Sequence, residues 1–169
     1  VVLKKGAQLA GTECGNNWLG YIIDQAPGPM LIVLQTLSMA QRWSKQRLSH
    51  LIQDSPVLTG KVAEARSRDS GNTIMLKEFP GGMLIITGAN SAVGLRSMPA
   101  RYLFFDEVDA FPGDVEGEGD PVKLAEKRSV TFRRKKSFKV STPGIEGMSR
   151  ISRDFDNGDK RYYFVPCVA

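Results

Sequence analysis

Three short segments of this 169-residue chain carry residue types that could together handle a phosphate ester. The first is Lys5-Gly6-Ala7-Gln8-Leu9-Ala10-Gly11-Thr12. Its small residues let backbone N–H groups converge on phosphate oxygens, and the start of a helix behind it favours an anion. Lys5 would serve the β- and γ-phosphates, and the Thr12 hydroxyl would serve Mg²⁺. The order is unusual: Gly11 stands directly before the hydroxyl, where a lysine is commoner, and the lysine sits at the front beside Lys4. An ordinary glycine-rich turn would look similar, so this segment depends on its companions.

The second segment is Arg101-Tyr102-Leu103-Phe104-Phe105-Asp106-Glu107. Its apolar run ends in two carboxylates, which places them at the C-terminal end of a buried strand, where ligands sit in open α/β sheets. Asp106 would hold Mg²⁺ through its water shell. Glu107 would polarise the water that attacks a γ-phosphate. The third is Lys139-Val140-Ser141-Thr142-Pro143, a strand end whose Ser141 and Thr142 hydroxyls could sense that phosphate. Arg96 and Arg101 both precede the Asp106 strand, and either guanidinium could stabilise charge developing on the transferred phosphoryl group.

These residues need elements to hold them. Apolar runs alternate with helix-period stretches, the signature of a layered α/β structure with a mainly parallel sheet. Val1–Leu3 reads as the end of a strand, Lys4–Gly11 as a loop, and Thr12 to about Gln25 as a helix stopped by Ala26-Pro27-Gly28-Pro29. Met30–Gln35 reads as a strand buried on both faces. A helix follows from Ser38, its expected N-cap, to about Gln53, with Trp43, Leu48, Leu51 and Ile52 on one stripe. Thr73–Phe79 and Met83–Gly88 flank Pro80-Gly81-Gly82 as a hairpin. Ser91–Ser97 is a short helix, Tyr102–Phe105 a strand, Pro121–Phe132 a helix, Phe138–Ser141 a strand and Met148–Asp156 a helix. Tyr162–Val165 reads as a last strand. The loops Arg66–Asn72 and Phe111–Asp120 read as surface-exposed.

Composition bounds the rest. The formal net charge of +5 fits an anionic partner without requiring one. No apolar run is long enough to span a membrane, and no secretory signal opens the chain. Two distant cysteines, Cys14 and Cys167, argue against a disulfide scaffold and fit a reducing compartment. The length suits one domain. The chain opens without Met and stops inside a strand-like run, so both ends read as cut from something longer. The acidic Glu116–Asp120 turn lacks calcium-loop spacing. Arg133-Arg134-Lys135-Lys136 reads as a solvated turn that could touch DNA phosphates. His50 lacks a partner at metal spacing, and Trp18 and Trp43 read as core.

Taken in order, these blocks resemble the lambda-like family of phage terminase large subunits. The resemblance lies in Lys5–Glu13, Gly15–Gly20, Gln41–Leu48, Phe79–Gly82, Thr87–Ala92, Arg101–Asp109, Gly117–Pro121 and Ser141–Pro143, and it covers essentially the whole chain. It implies an ATP-driven DNA-packaging motor domain with a P-loop NTPase fold of the ASCE type: an α/β sandwich with a mainly parallel central sheet, flanking helices, and an extra strand between the loop strand and the carboxylate strand. The family's displaced lysine falls on Lys5, its loop hydroxyl on Thr12, its metal-binding and catalytic carboxylates on Asp106 and Glu107, and its coupling motif on Ser141–Pro143. A trans-acting arginine ahead of the carboxylate strand favours Arg96 as the finger. Where some members carry a second lysine, this chain has Glu13. The implied cofactors are ATP and Mg²⁺. The implied partners are double-stranded DNA, the portal or procapsid, a small terminase subunit, and further copies in a ring, all in the host cytoplasm. The nuclease domain and cysteine-rich segment that follow in the family would lie past residue 169. A helicase or translocase on the same core, or a non-catalytic nucleotide- or DNA-binding module, is the alternative.

Overall fold

The computed structural model describes residues 1–62 and 72–164. Six strands form one sheet in the order β1-β6-β5-β2-β4-β3. They are β1 (Val2–Lys4), β2 (Met30–Leu34), β3 (Leu76–Phe79), β4 (Gly82–Gly88), β5 (Tyr102–Asp106) and β6 (Lys136–Ser141). All neighbours run parallel except β3, which returns antiparallel to β4 through the Pro80-Gly81 turn. Gly81 takes a φ of 81° there, a value that side-chain-bearing residues adopt only with strain. The anticipated extra strand is β6, lying between β1 and β5.

Both faces of the sheet are covered, which explains the unbroken apolar runs of β2 and β5. Alternation divides each strand between two cores. Met30, Ile32, Leu34, Tyr102 and Phe104 pack with Leu19, Ile22 and Ile23 of α1 (Gly11–Asp24). Leu31, Val33, Leu103 and Phe105 pack with Leu95 of α5 (Ala92–Arg96), Val122, Leu124 and Ala125 of α6 (Pro121–Glu126), and Ile151 of α7 (Arg150–Asp156). Trp43 is core as expected, whereas Trp18 is half-buried, edge-on to Tyr102 and Phe138. Among the described residues no helix is long and apolar enough to cross a membrane.

Several boundaries depart from the sequence reading, each for a local reason. The second long helix is capped by Thr36 rather than Ser38: Thr36 is extended, and its Oγ1 accepts the Met39 N–H at 3.2 Å. That helix runs as α2 (Leu37–Trp43), a π-helical turn over Ser44–Leu48, and α3 (Ser49–Gln53), followed by the short α4 (Pro56–Thr59). The helix from Pro121 gives way after Glu126 to a 3₁₀ turn, Lys127–Ser129, in which Ser129 Oγ donates to the Glu126 carbonyl at 2.8 Å. Residues 161–164 form no strand, and Tyr162, Tyr163 and Phe164 are exposed. Aromatic residues favour strands only where a neighbouring strand packs them, and none pairs with these. Val165 and Cys167 lie outside the described residues, as do 66–71 of the predicted loop. Asn72 is buried, its side chain accepting the Glu78 N–H. The 111–120 loop is anchored by buried Phe111 and Val115. Asp114 turns its acidic tip inward on the Gly117 and Gly119 N–H groups, 2.7 Å each.

Candidate active site

The sheet register brings three strand ends level. Lys4 stands beside Ser141, and Asp106 beside Val140. The residues just beyond, Lys5, Glu107 and Thr142, therefore meet at the C-terminal edge.

Between β1 and α1 the chain turns through positive φ at Gln8 (57°) and Ala10 (54°). Alternation with residues of ordinary φ folds successive N–H groups into one concavity. Apart from the turn at Ala7-Gln8, which directs the Leu9 N–H back toward Gly6, the N–H groups of residues 6–10 make no short hydrogen bond to the described residues. The loop is thus mainly a set of free donors at the amino end of a 14-residue helix. Gly11 makes room for the lysine to fold back. A Cβ there would lie 2.6 Å from Lys5 Cδ, Lys5 Cε and Val140 Cγ2.

Lys5 Nζ donates to Glu107 Oε1 at 2.8 Å and to Thr142 Oγ1 at 3.2 Å. Its side chain is only 9% exposed. Thr12 Oγ1 lies 3.1 Å from each oxygen of Asp106. Burial is the main cause that pushes the Asp106 carboxyl up to about 6, with the Glu107 charge adding to it. The Thr12 hydrogen bond, Lys5 and Arg47 pull the other way. A buried carboxylate touching a hydroxyl, with no cation in contact among the described residues, is a hard-oxygen donor pair suited to Mg²⁺.

Glu107 sits at φ 58°, an unfavourable backbone for a residue with a side chain. Its N–H is tied to the Val140 carbonyl at 2.8 Å. The bend turns its carboxylate toward β6, where Oε2 accepts from the Thr142 N–H at 3.2 Å and from Ser141 Oγ at 3.3 Å. Ser141 Oγ in turn accepts the Asp109 N–H at 3.2 Å. Two hydrogen-bonded groups, Thr12–Asp106 and Lys5–Glu107–Ser141–Thr142, therefore stand side by side where Asp106 and Glu107 adjoin in the chain.

The two arginines are part of neither. Arg96, at the end of α5, is half-exposed and pairs with Glu118 at 2.9 Å. Arg101 lies at the opposite end of β5, its guanidinium over the Tyr102 ring at 4.9 Å. Among the described residues no three His, Cys, Asp or Glu side chains converge as a metal cluster.

Sequence reasoning missed two features. Gly15 lets α1 lie against the sheet: a Cβ would fall 2.0 Å from Phe104 Cζ. On the β2 side, Arg42, Gln46 and Arg47 line one cleft of about 270 Å³ with Thr12, Leu34, Met39, Trp43 and Asp106. An apolar stripe assigns Trp43 and Leu48 to the core but says nothing about where the polar face points.

The model of the phage terminase large subunit gpA ATPase domain matches residues 1–169. The terminase large subunit of Enterobacteria phage P21 is 28% identical over 169 residues, 99% of this chain and 26% of its own length. That of Escherichia phage lambda is 30% identical over 134 residues, 79% of this chain and 21% of its own. The chain thus spans about a quarter of these relatives. Among solved structures, the HK97 bacteriophage large terminase aligns with a TM-score of 0.71 at 12% identity, covering 92% of this chain and 31% of that one. The Thermus phage P74-26 large terminase ATPase domain aligns at 0.57 and 14% identity, covering 87% and 61%. At such identities these structures speak to the fold alone, and they agree with the mainly parallel α/β sheet. With a family model spanning its full length, the chain belongs to the phage terminase large subunit gpA ATPase domain family.

Proposed function

We propose that this chain binds and hydrolyses Mg·ATP over Lys5–Thr12, as the P-loop motor domain of an enzyme that drives double-stranded DNA into a procapsid. The observation that carries the reading is the polar cluster at the sheet edge, where Lys5 contacts Glu107 and Thr12 contacts Asp106 beside a loop of free N–H groups. Residues Gly6, Ala7, Gln8, Leu9, Ala10 and Gly11 would cradle the phosphates through the backbone. Thr12 and Asp106 would hold Mg²⁺, which when bound neutralises phosphate charge.

The Lys5–Glu107 pair gives the site a substrate-dependent switch. In the structure Lys5 Nζ is paired with Glu107 Oε1. A triphosphate competes for that ammonium, and Glu107 is released to take a proton from the attacking water. Water oxygen bonds to the γ-phosphorus, the bond to the ADP oxygen breaks, and the water proton passes to Glu107. Ser141 and Thr142 both touch Glu107 and stand where β6 passes into the loop leading to α7, so they would relay the hydrolysis state. Arg96 lies outside this cluster and would act on a neighbouring copy in a ring. The portal, a small terminase subunit and the host cytoplasm belong to the same reading.

The test is single-turnover hydrolysis and nucleotide binding in parallel. Glu107→Gln is expected to bind ATP with near-parental affinity and lose about 100-fold or more of the rate. Lys5→Ala is expected to weaken binding itself. Hydrolysis by Glu107→Gln at the parental rate would remove Glu107 from its role.

A further inference from the structure

The cleft on the β2 side of Asp106 has a composition that the roles assigned above do not use. Two guanidiniums, Arg42 and Arg47, line it together with Gln46, while Asp106 is its single carboxylate. Arg47 is already held, its Nη1 on Glu13 Oε1 at 2.5 Å. Glu13 is anchored in turn by Asn16 Nδ2 at 3.0 Å. Arg42 makes no ion pair among the described residues; its Nη2 only meets Met39 Sδ at 3.1 Å.

The backbone explains why both arginines reach one cleft. In a regular α-helix residues five apart are separated by about 140° around the axis. Here the turn over Ser44–Leu48 is π-helical, with the Ser49 N–H donating to the Ser44 carbonyl. A π turn closes i→i+5 bonds, so residues five apart come closer to alignment. The turn therefore brings Arg47 round toward the side that Arg42 and Gln46 already occupy. Such turns are uncommon and concentrate at functional sites.

We propose that Arg42 is a catalytic residue acting within its own chain, placing its guanidinium on the γ-phosphate of the nucleotide from the β2 side, opposite Lys5. The proposal rests on Lys5–Thr12 being the ATP site. Thr12 and Asp106 line the same cleft. The anion that fills a cleft beside this pair is the one that shares its metal. Arg42 is exposed, so the preference for nucleotide over DNA as its partner rests on Thr12 and Asp106, the pair that would hold the nucleotide's metal, lining the same cleft. Arg47 is shared between Glu13 and the field of Asp106, and Arg42 is the one of the two that makes no ion pair among the described residues.

The experiment is equilibrium binding of Mg²⁺ complexes of ADP and of a non-hydrolysable ATP analogue to the purified chain and to Arg42→Ala and Arg42→Lys. The γ-phosphate is the only difference between the two ligands that Arg42 should sense. Arg42→Ala is expected to lose about tenfold or more in analogue affinity, the scale of one charge-assisted hydrogen bond. ADP affinity is expected to move by less than about twofold on the same scale, and Arg42→Lys should recover part of the analogue's loss. Equal weakening of both nucleotides would mark a structural role and overturn the proposal. So would unchanged nucleotide binding, including the case in which DNA affinity alone falls and Arg42 proves to be a DNA contact. Failure of the parent chain to bind either nucleotide would instead remove the ATP-site reading, and the proposal with it.

Discussion

Replacing Asp106 with Asn should stabilise the metal-free protein and do so only above a definable pH. Asp106 is 8% exposed, and its carboxyl is lifted from an ordinary 3.8 to about 6, chiefly by burial. A carboxyl whose folded pKa exceeds its unfolded value binds more protons when folded, so its contribution to stability falls as pH rises between the two values. Below pH 3.8 the group costs nothing by this route; above about 6 the full penalty is present. At about 1.36 kcal/mol per pH unit, that interval corresponds to about 3 kcal/mol. For a domain of this size about 1 kcal/mol moves Tm by roughly 2–4 °C, so the gain approaches about 6–12 °C. The introduced amide would keep an oxygen for the Thr12 hydroxyl, so the substitution removes charge with little change of shape. The assay is thermal unfolding of parent and Asp106→Asn in EDTA from pH 4 to 8. The gap should be near zero at the acid end, open through the window and reach its plateau by pH 7. Saturating Mg²⁺ should narrow it by binding the parent alone. A variant no more stable than the parent at pH 8, or a gap equal at both ends, would refute the reasoning.

Two further predictions concern the scaffold of the site. Gly15→Ala gains about 1 kcal/mol of helix propensity but drives a methyl to 2.0 Å from Phe104 Cζ. A net loss of about 1–2 kcal/mol is expected by chemical denaturation, with Phe104→Leu restoring part of it in the double variant. Arg150 donates to the Val108, Phe111 and Pro112 carbonyls and to Asp120. Arg150→Ala strands all four acceptors and should cost about 3 kcal/mol in the same assay; Arg150→Lys, lacking the planar fork, should recover only a fraction.

The parts of the fold that a sequence shows are those set by one-dimensional pattern. The unbroken run Met30–Leu34 can only be a strand covered on both faces, and Tyr102–Glu107 places its carboxylates by the same logic. The hairpin at Pro80-Gly81 and the loop around Gly11 are equally legible, because the residues permit little else. What escapes depends on the third dimension. Glu107 adopts its left-handed backbone because β6 holds its N–H and carboxylate, and no neighbour in sequence announces that. Gly15 reads as a routine helix glycine until Phe104 is seen against it. The π turn that swings Arg47 into the cleft leaves one trace in the sequence, the five-residue step between the core residues Trp43 and Leu48, which a regular helix would set about 140° apart. Thr36 and Ser38 are equally good caps by composition, and only the extended backbone of Thr36 decides between them. The expected strand at Tyr162 erred in the opposite sense: its residues suit a sheet that offers them no partner.

A crystal structure of the chain with Mg²⁺ and a non-hydrolysable ATP analogue would decide whether Lys5–Thr12 is the nucleotide site. Phosphate density is expected within hydrogen-bond reach of the N–H groups of residues 6–12, with the ion between Thr12 and Asp106. Lys5 Nζ is expected to have left Glu107 for the phosphates. Phosphate density anywhere else on the molecule, or a Lys5–Glu107 contact that persists with the nucleotide bound, would contradict the assignment.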